Sequence, residues 1–193
     1  YILCGRLMYS FFSSATNGAM KAIRTNSGMI KKVYVPKYIY PLSSVLFNYI
    51  IFAISLIVLV VVSIVLKVYP TVYLLQAIIP LILLLITAFG VGMILSTMAV
   101  FFRDLEYLWS VGLMIIMYAS AIFYKPDRLL KSGFGWILKC NPLYLLIHNF
   151  RQAVFGMPMN MKFLAASVLF AIVSVIVGLV FFYKKQDEFI LHI

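Results

Sequence analysis

An all-α integral membrane protein is the fold class this sequence predicts, and three observations predict it. The chain of 193 residues is 65% hydrophobic and only 11% charged, with a mean hydropathy of +1.08. Its uncharged runs are long enough to span, since a bilayer core of roughly 30 Å needs about 20 apolar residues per helix. The runs are apolar throughout, without the alternation of a barrel strand, and lipid offers the backbone no hydrogen-bond partner, so helices are selected. The net charge of +11 falls between the runs, where it faces lipid head groups, and does not gather into a nucleic-acid surface. One compact bundle over residues 1–193 is expected.

The opening stretch "YILCGRLMYSFFSSATNGAM" reads as the exit half of a transmembrane helix, interrupted by Arg6 and loosened after Phe12 by Ser, Thr, Asn and Gly. It carries neither an initiator Met nor the charged lead of a signal peptide, so a piece lacking its natural N-terminus is expected. Residues 21–41 hold Lys21, Arg24, Lys31, Lys32 and Lys37 without an acid, an aqueous or interfacial segment. Pro36 and Pro41 should break helix there, setting a short helix that ends near Val33 and Tyr34 apart from the next span.

Leu42 to Leu66 is a span, closed by Lys67 and a turn at Pro70. Residues 71–102 form an uncharged run that would reach about 50 Å as one helix, so tilting, kinking or extension into the interface is expected, with Pro80, Gly90 and Gly92 as bend points. Arg103, Asp104 and Glu106 mark a short return loop before a span over 107–124. Residues 125–161 contain two apolar pieces too short to cross, "GWILKC" and "PLYLLIHNF", which read as interfacial or re-entrant helices. Phe163 to Tyr183 is the last span. Lys and Arg divide eight against seven between the two sides, and the acid-free 21–41 cluster with Lys184 and Lys185 leans its side towards the cytoplasm.

Little in the sequence supports chemistry. There is no P-loop, nucleophile elbow or zinc-binding helix motif. His148 and His192 lack a partner at ligand spacing, Cys4 and Cys140 lack a paired motif, and no metal is expected. Asp104 and Glu106 point to different helix faces. Ala88, Gly92 and Ser96 form a small-residue stripe, which packs either inside the protomer or against a second copy. Arg103 and Asp104 are either a local ion pair or a contact for a cytoplasmic partner. Lys31, Lys32 and Lys37 are either head-group anchors or a docking surface lying along the membrane.

Taken in order, "NSGMIKKVYVPKYIYPLSSVL", "FFRDLEYLW", "NPLYLLIHNFR" and "KKQDEFI" resemble the ABC-2 type permeases that export polysaccharides and polyols, namely the O-antigen and teichoic acid exporters. The resemblance implies a permease half-transporter with six spans in the full protein, the first of them missing here. It implies a homodimer, membrane lipid around it, and a separate ABC ATPase subunit. ATP would act only through that partner, no cofactor would bind this chain directly, and the cargo would be a lipid-linked glycan or polyol. The segment 21–41 then carries a coupling helix for the ATPase, with Asn26, Met29, Ile30, Lys31, Lys32 and Lys37 as its residues. Arg103, Asp104 and Glu106 become the second cytoplasmic turn. Residues 125–161 become an outer re-entrant region, with a turn at Asn141 and Pro142, and Arg151 beyond it. Ser120-Ala121 stands where family members commonly have Thr-Pro, and Tyr9 where they have Trp; the first alters a kink. Arg6 is expected to face a partner or cavity. Exporters of drugs or small lipids, a non-transporting scaffold and a membrane glycan-transferring enzyme are the alternatives; the enzyme reading lacks intramembrane acids.

Overall fold

The computed structural model describes residues 1–32, 35–65, 72–124, 126 and 135–189. The turn expected at Pro70, the charges Lys67, Lys125, Asp127, Arg128 and Lys131, and His192 lie outside them. Helix α1 runs Ile2–Thr25, α2 Ser27–Ile30, α3 Ile39–Val65, α4 Ile78–Phe101, α5 Leu105–Ala119, α6 Gly135–Cys140, α7 Pro142–Val154 and α8 Met161–Lys185. A 3-10 turn, Val72–Ala77, leads into α4, and another, Gln186–Glu188, follows α8.

Helix α1 is unbroken, contrary to the loosening expected after Phe12. Its hydroxyl and amide side chains turn back onto their own helix: Thr16 Oγ1 donates to the Phe12 carbonyl at 2.7 Å and Thr25 Oγ1 to that of Lys21 at 3.0 Å. Gly18 serves close packing, because a Cβ there would run into Ser44 Oγ of α3. The helix also extends through Lys21 and Arg24, so the segment 21–41 begins within the last turn and a half of α1.

Helix α4 is the central element, packing chiefly against α8 and α1. Half of its most apolar window is buried, against 17% for α3 and 22% for α8. It passes through Gly90 and Gly92 without interruption. A Cβ at Gly90 would lie 2.6 Å from the Ser174 backbone, and one at Gly178 2.6 Å from the Gly90 carbonyl. The glycines let the α4 and α8 backbones touch, which is how membrane helices gain packing when lipid is as apolar as their side chains. The long run 71–102 breaks instead at the 3-10 turn. Pro80 is the third residue of α4, where its missing N–H removes no helical bond. Pro41 stands likewise at the third position of α3 and opens that helix where a break was expected.

The span expected over 107–124 is shorter. Helix α5 has 15 residues, about 22 Å at 1.5 Å each, and stops because Ala121 takes φ 48°, in the left-handed region. Helix α7 is buried against α8, α4, α1 and the 3-10 turn before α4, so it belongs to the core as well as to its end of the bundle.

Candidate functional site

One end of the bundle gathers the residues expected to couple. Asn26 closes α1 with its side-chain amide donating to the Ala22 carbonyl at 2.8 Å. Helix α2 then runs only to Ile30, short of the expected end near Val33 and Tyr34, which lie outside the described residues. Ile30 is buried while Met29, Lys31 and Lys32 are exposed. The segment is thus anchored by one apolar side chain and presents an apolar-and-basic surface.

Its anchor is a cluster that the sequence reading missed. Ala22 and Ile23 of α1, Ile30, Tyr40 of α3, Met93 and Val100 of α4, Phe182 of α8 and Phe189 of the tail pack together. Phe189 is fully buried, 5.2 Å from the Phe182 ring and 6.2 Å from that of Phe101. Lys37 Nζ donates to the Gln186 carbonyl and lies 5.9 Å from the Phe189 ring. The tail therefore ties the basic segment to the ends of α4 and α8. A lone Phe inside the polar run "KKQDEF" was the available signal.

The second turn joins the same end through Glu106, which pairs with Arg24 at 3.0 Å and Lys21 at 3.2 Å. Arg103 and Asp104 are exposed and form no ion pair with each other among the described residues. The acid that counts is the one on the first turn of α5, facing α1.

At the opposite end, Asn141 caps α7, accepting from the Leu143 N–H at 3.0 Å and donating to Ser120 Oγ at 2.9 Å; Pro142 opens the helix. Arg151, three turns on, donates to the carbonyls of Ala121 and Ile122 at 3.0 and 3.2 Å. Two α7 side chains thus hold the turn that ends α5. A proline at 121 could not adopt φ 48°, so Ser120-Ala121 changes this turn and not merely a kink.

Between the ends, α1 carries a polar stripe. Arg6, Ser10, Ser14 and Lys21 are exposed and Asn17 half-buried, at spacings of three and four that keep them on one face. Ser10 and Ser14 face Asn48 and Ser55 of α3 across a narrow groove. On the α5 side, Tyr9 donates to the Leu113 carbonyl at 3.0 Å, Trp109 Nε1 to Thr16 Oγ1 at 3.2 Å, and Arg6 reaches Met117 Sδ at 3.5 Å. The helical spacing was readable in sequence; only Arg6 was singled out. Behind α5 lies an apolar cavity of about 660 Å³ walled by Trp109, Ile116, Trp136, Leu143, Phe170 and Thr87, whose buried hydroxyl has no hydrogen-bond partner. Gly92 of the small-residue stripe packs on α1, where a Cβ would lie 2.8 Å from that of Ala19, and Ala88 and Ser96 are fully buried.

Three described helices, 39–65, 73–101 and 161–188, are long and apolar enough to cross a bilayer. With a charged end and an exposed polar stripe, they define a multi-pass integral membrane protein. The ABC-2 type transporter model matches residues 1–155, and the chain belongs to that family. Two O-antigen export system permease proteins RfbA of Klebsiella pneumoniae are 30% and 29% identical to it, each over 98% of this chain and 73% of the relative. An O-antigen export system permease protein RfbA of Myxococcus xanthus is 27% identical over 80% of this chain and 60% of its own length.

Proposed function

We propose that this chain is the permease subunit of an ABC exporter that moves a lipid-linked polysaccharide or teichoic-acid-type polymer across the cytoplasmic membrane. The observation that carries the reading is the polar stripe of α1. Polar groups exposed along a membrane helix are costly against lipid and are retained where they line a polar path. Serine and asparagine side chains exchange hydrogen bonds with successive sugar or polyol hydroxyls without holding any one of them. Two copies facing each other across α1 and α5 would enclose such a path, with the exposed Tyr107 and Tyr118 on its rim.

The energy comes from a separate ATPase subunit, and ATP reaches this chain only through it. The basic end is then cytoplasmic, and Met29, Lys31 and Lys32 meet the ATPase. Closure of the ATP-bound partner shifts the permease between conformations by binding one better than the other. Phe189 and Glu106 join the docking segment to α8, α4 and α5, the elements that must move.

Replacing Ser10, Ser14 and Asn17 with leucine tests the path. Surface display of the exported glycan should fall while ATPase co-purification is kept; unchanged display would remove the path from α1. The large apolar cavity behind α5 favours a second reading, an exporter of drugs or small lipids. That reading predicts that deletion of the gene changes drug resistance and leaves surface glycan intact.

A further inference from the structure

The short tail after α8 reaches back to the basic segment through contacts of defined geometry. Lys37, half-buried, donates from Nζ to the Gln186 carbonyl and stands over the Phe189 ring. Lys185 pairs with Glu188 at 2.7 Å and lies 5.7 Å from the Phe101 ring, which lays the 3-10 turn against the end of α4. Phe189 is thereby held inside the bundle, its ring inclined at 82° to that of Phe182 and at 61° to that of Phe101. The same cluster takes in Ile30, the one buried side chain among the described residues of 24–39.

Two routes lead from this end of the chain into the bundle, and they differ in stiffness. The ion-pair route crosses from α1 to α5 through Glu106, whose partners Lys21 and Arg24 have side chains 54% and 37% exposed. Long exposed side chains reorient in water at little cost, so a displacement is absorbed there. The aromatic route has no such slack, because a close-packed interior resists both voids and overlap and interlocked rings keep their angles. At its far end it meets α4 and α8, whose backbones touch: a Cβ at Gly90 or Gly178 would lie 2.6 Å from the other helix. A shift of the tail therefore carries the ends of α4 and α8 together.

We propose that the tail, residues 186–189, is the strut that carries the ATPase's motion from the basic segment to the α4 and α8 pair, with Lys37 and Phe189 as its positioning residues. The proposal rests on the exporter reading and deepens it by ranking the tail above the Glu106 pairs as the transmitting contact. Coupling of this kind travels through packed side chains joined to rigid elements, and the cluster around Phe189 supplies both. With the strut broken, the ATPase still docks on Met29, Lys31 and Lys32 and still hydrolyses ATP, but the spans no longer follow.

The test uses the full-length protein co-expressed with its ATPase subunit. ATPase co-purification, ATP hydrolysis by the complex and surface glycan per folded permease are read together. Phe189→Ala and Lys37→Met should keep the ATPase and its hydrolysis while export falls about tenfold, inside the roughly 5–150-fold span of a coupling free energy between two sites. Lys37→Met keeps an apolar stem against the Phe189 ring and so tests the strut even where Phe189→Ala fails to fold. Glu106→Gln should lose far less export than either tail variant. Leu59→Ala, buried in α3 away from the cluster, controls for stability and should export as wild type does. Wild-type export by the folded tail variants, or an equal loss in Leu59→Ala or Glu106→Gln, would overturn the strut. Wild type that brings down no ATPase would instead remove the exporter reading and the strut with it, so the two failures are told apart.

Discussion

The two ends of the bundle handle cations in opposite ways. At the basic end Lys21 and Arg24 are at least part-exposed and meet an acid, Glu106, and Lys31 and Lys32 are solvent-exposed. At the far end Arg151 is buried, meets no described acid and spends its donors on backbone carbonyls. An exposed pair gains little because water and salt screen it. A buried guanidinium fixes its neighbours, because releasing it strands both the charge and the carbonyls. The basic end is therefore suited to exchanging partners, and the far end to holding α5 in place.

The comparison is broken most severely by Arg151→Met, which strands the Ala121 and Ile122 carbonyls at roughly 1–3 kcal/mol each and should destabilise the protein by about 3–4 kcal/mol in detergent thermal unfolding. Arg151→Lys should recover less than half, since an ammonium cannot hold two carbonyls in a fixed fork. Phe189→Ala should cost about 3 kcal/mol, showing that the basic end rests on its aromatic cluster and not on its charges. Glu106→Gln sharpens the contrast: the loss should be under about 1 kcal/mol and should vanish at 1 M salt, where screening falls to about 3 Å. Smallest is Ala121→Gly, expected to stabilise by about 0.5–1 kcal/mol by relieving the left-handed conformation. A loss there would mean that the alanine methyl contributes more through packing than its backbone costs.

What could be read in sequence follows from where energy is local. Helix α3 begins within three residues of the span expected from Leu42, and α8 begins and ends within three residues of Phe163 to Tyr183, because lipid-facing helices announce themselves by continuous apolar composition. Helix α1 was misread as fraying, because Ser, Thr and Gly weaken a helix in isolation, whereas here hydroxyls bond backward and Gly18 admits Ser44. The short α5 was overextended, since nothing in "SAIFY" shows that a guanidinium thirty residues later holds the Ala121 carbonyl. Pairing at Glu106 and the burial of Phe189 are likewise long-range facts. Composition located the basic segment, and tertiary contacts show what it is tied to.

The most direct test of the account is co-purification of the full-length protein in mild detergent, comparing wild type with Lys31→Glu/Lys32→Glu and identifying bound proteins by mass. Both lysines are exposed, so the charge reversal should spare the fold. A P-loop ATPase that accompanies wild type and is lost from the variant is the result this account predicts. Wild type that stays folded in the detergent but brings down no ATPase would contradict it.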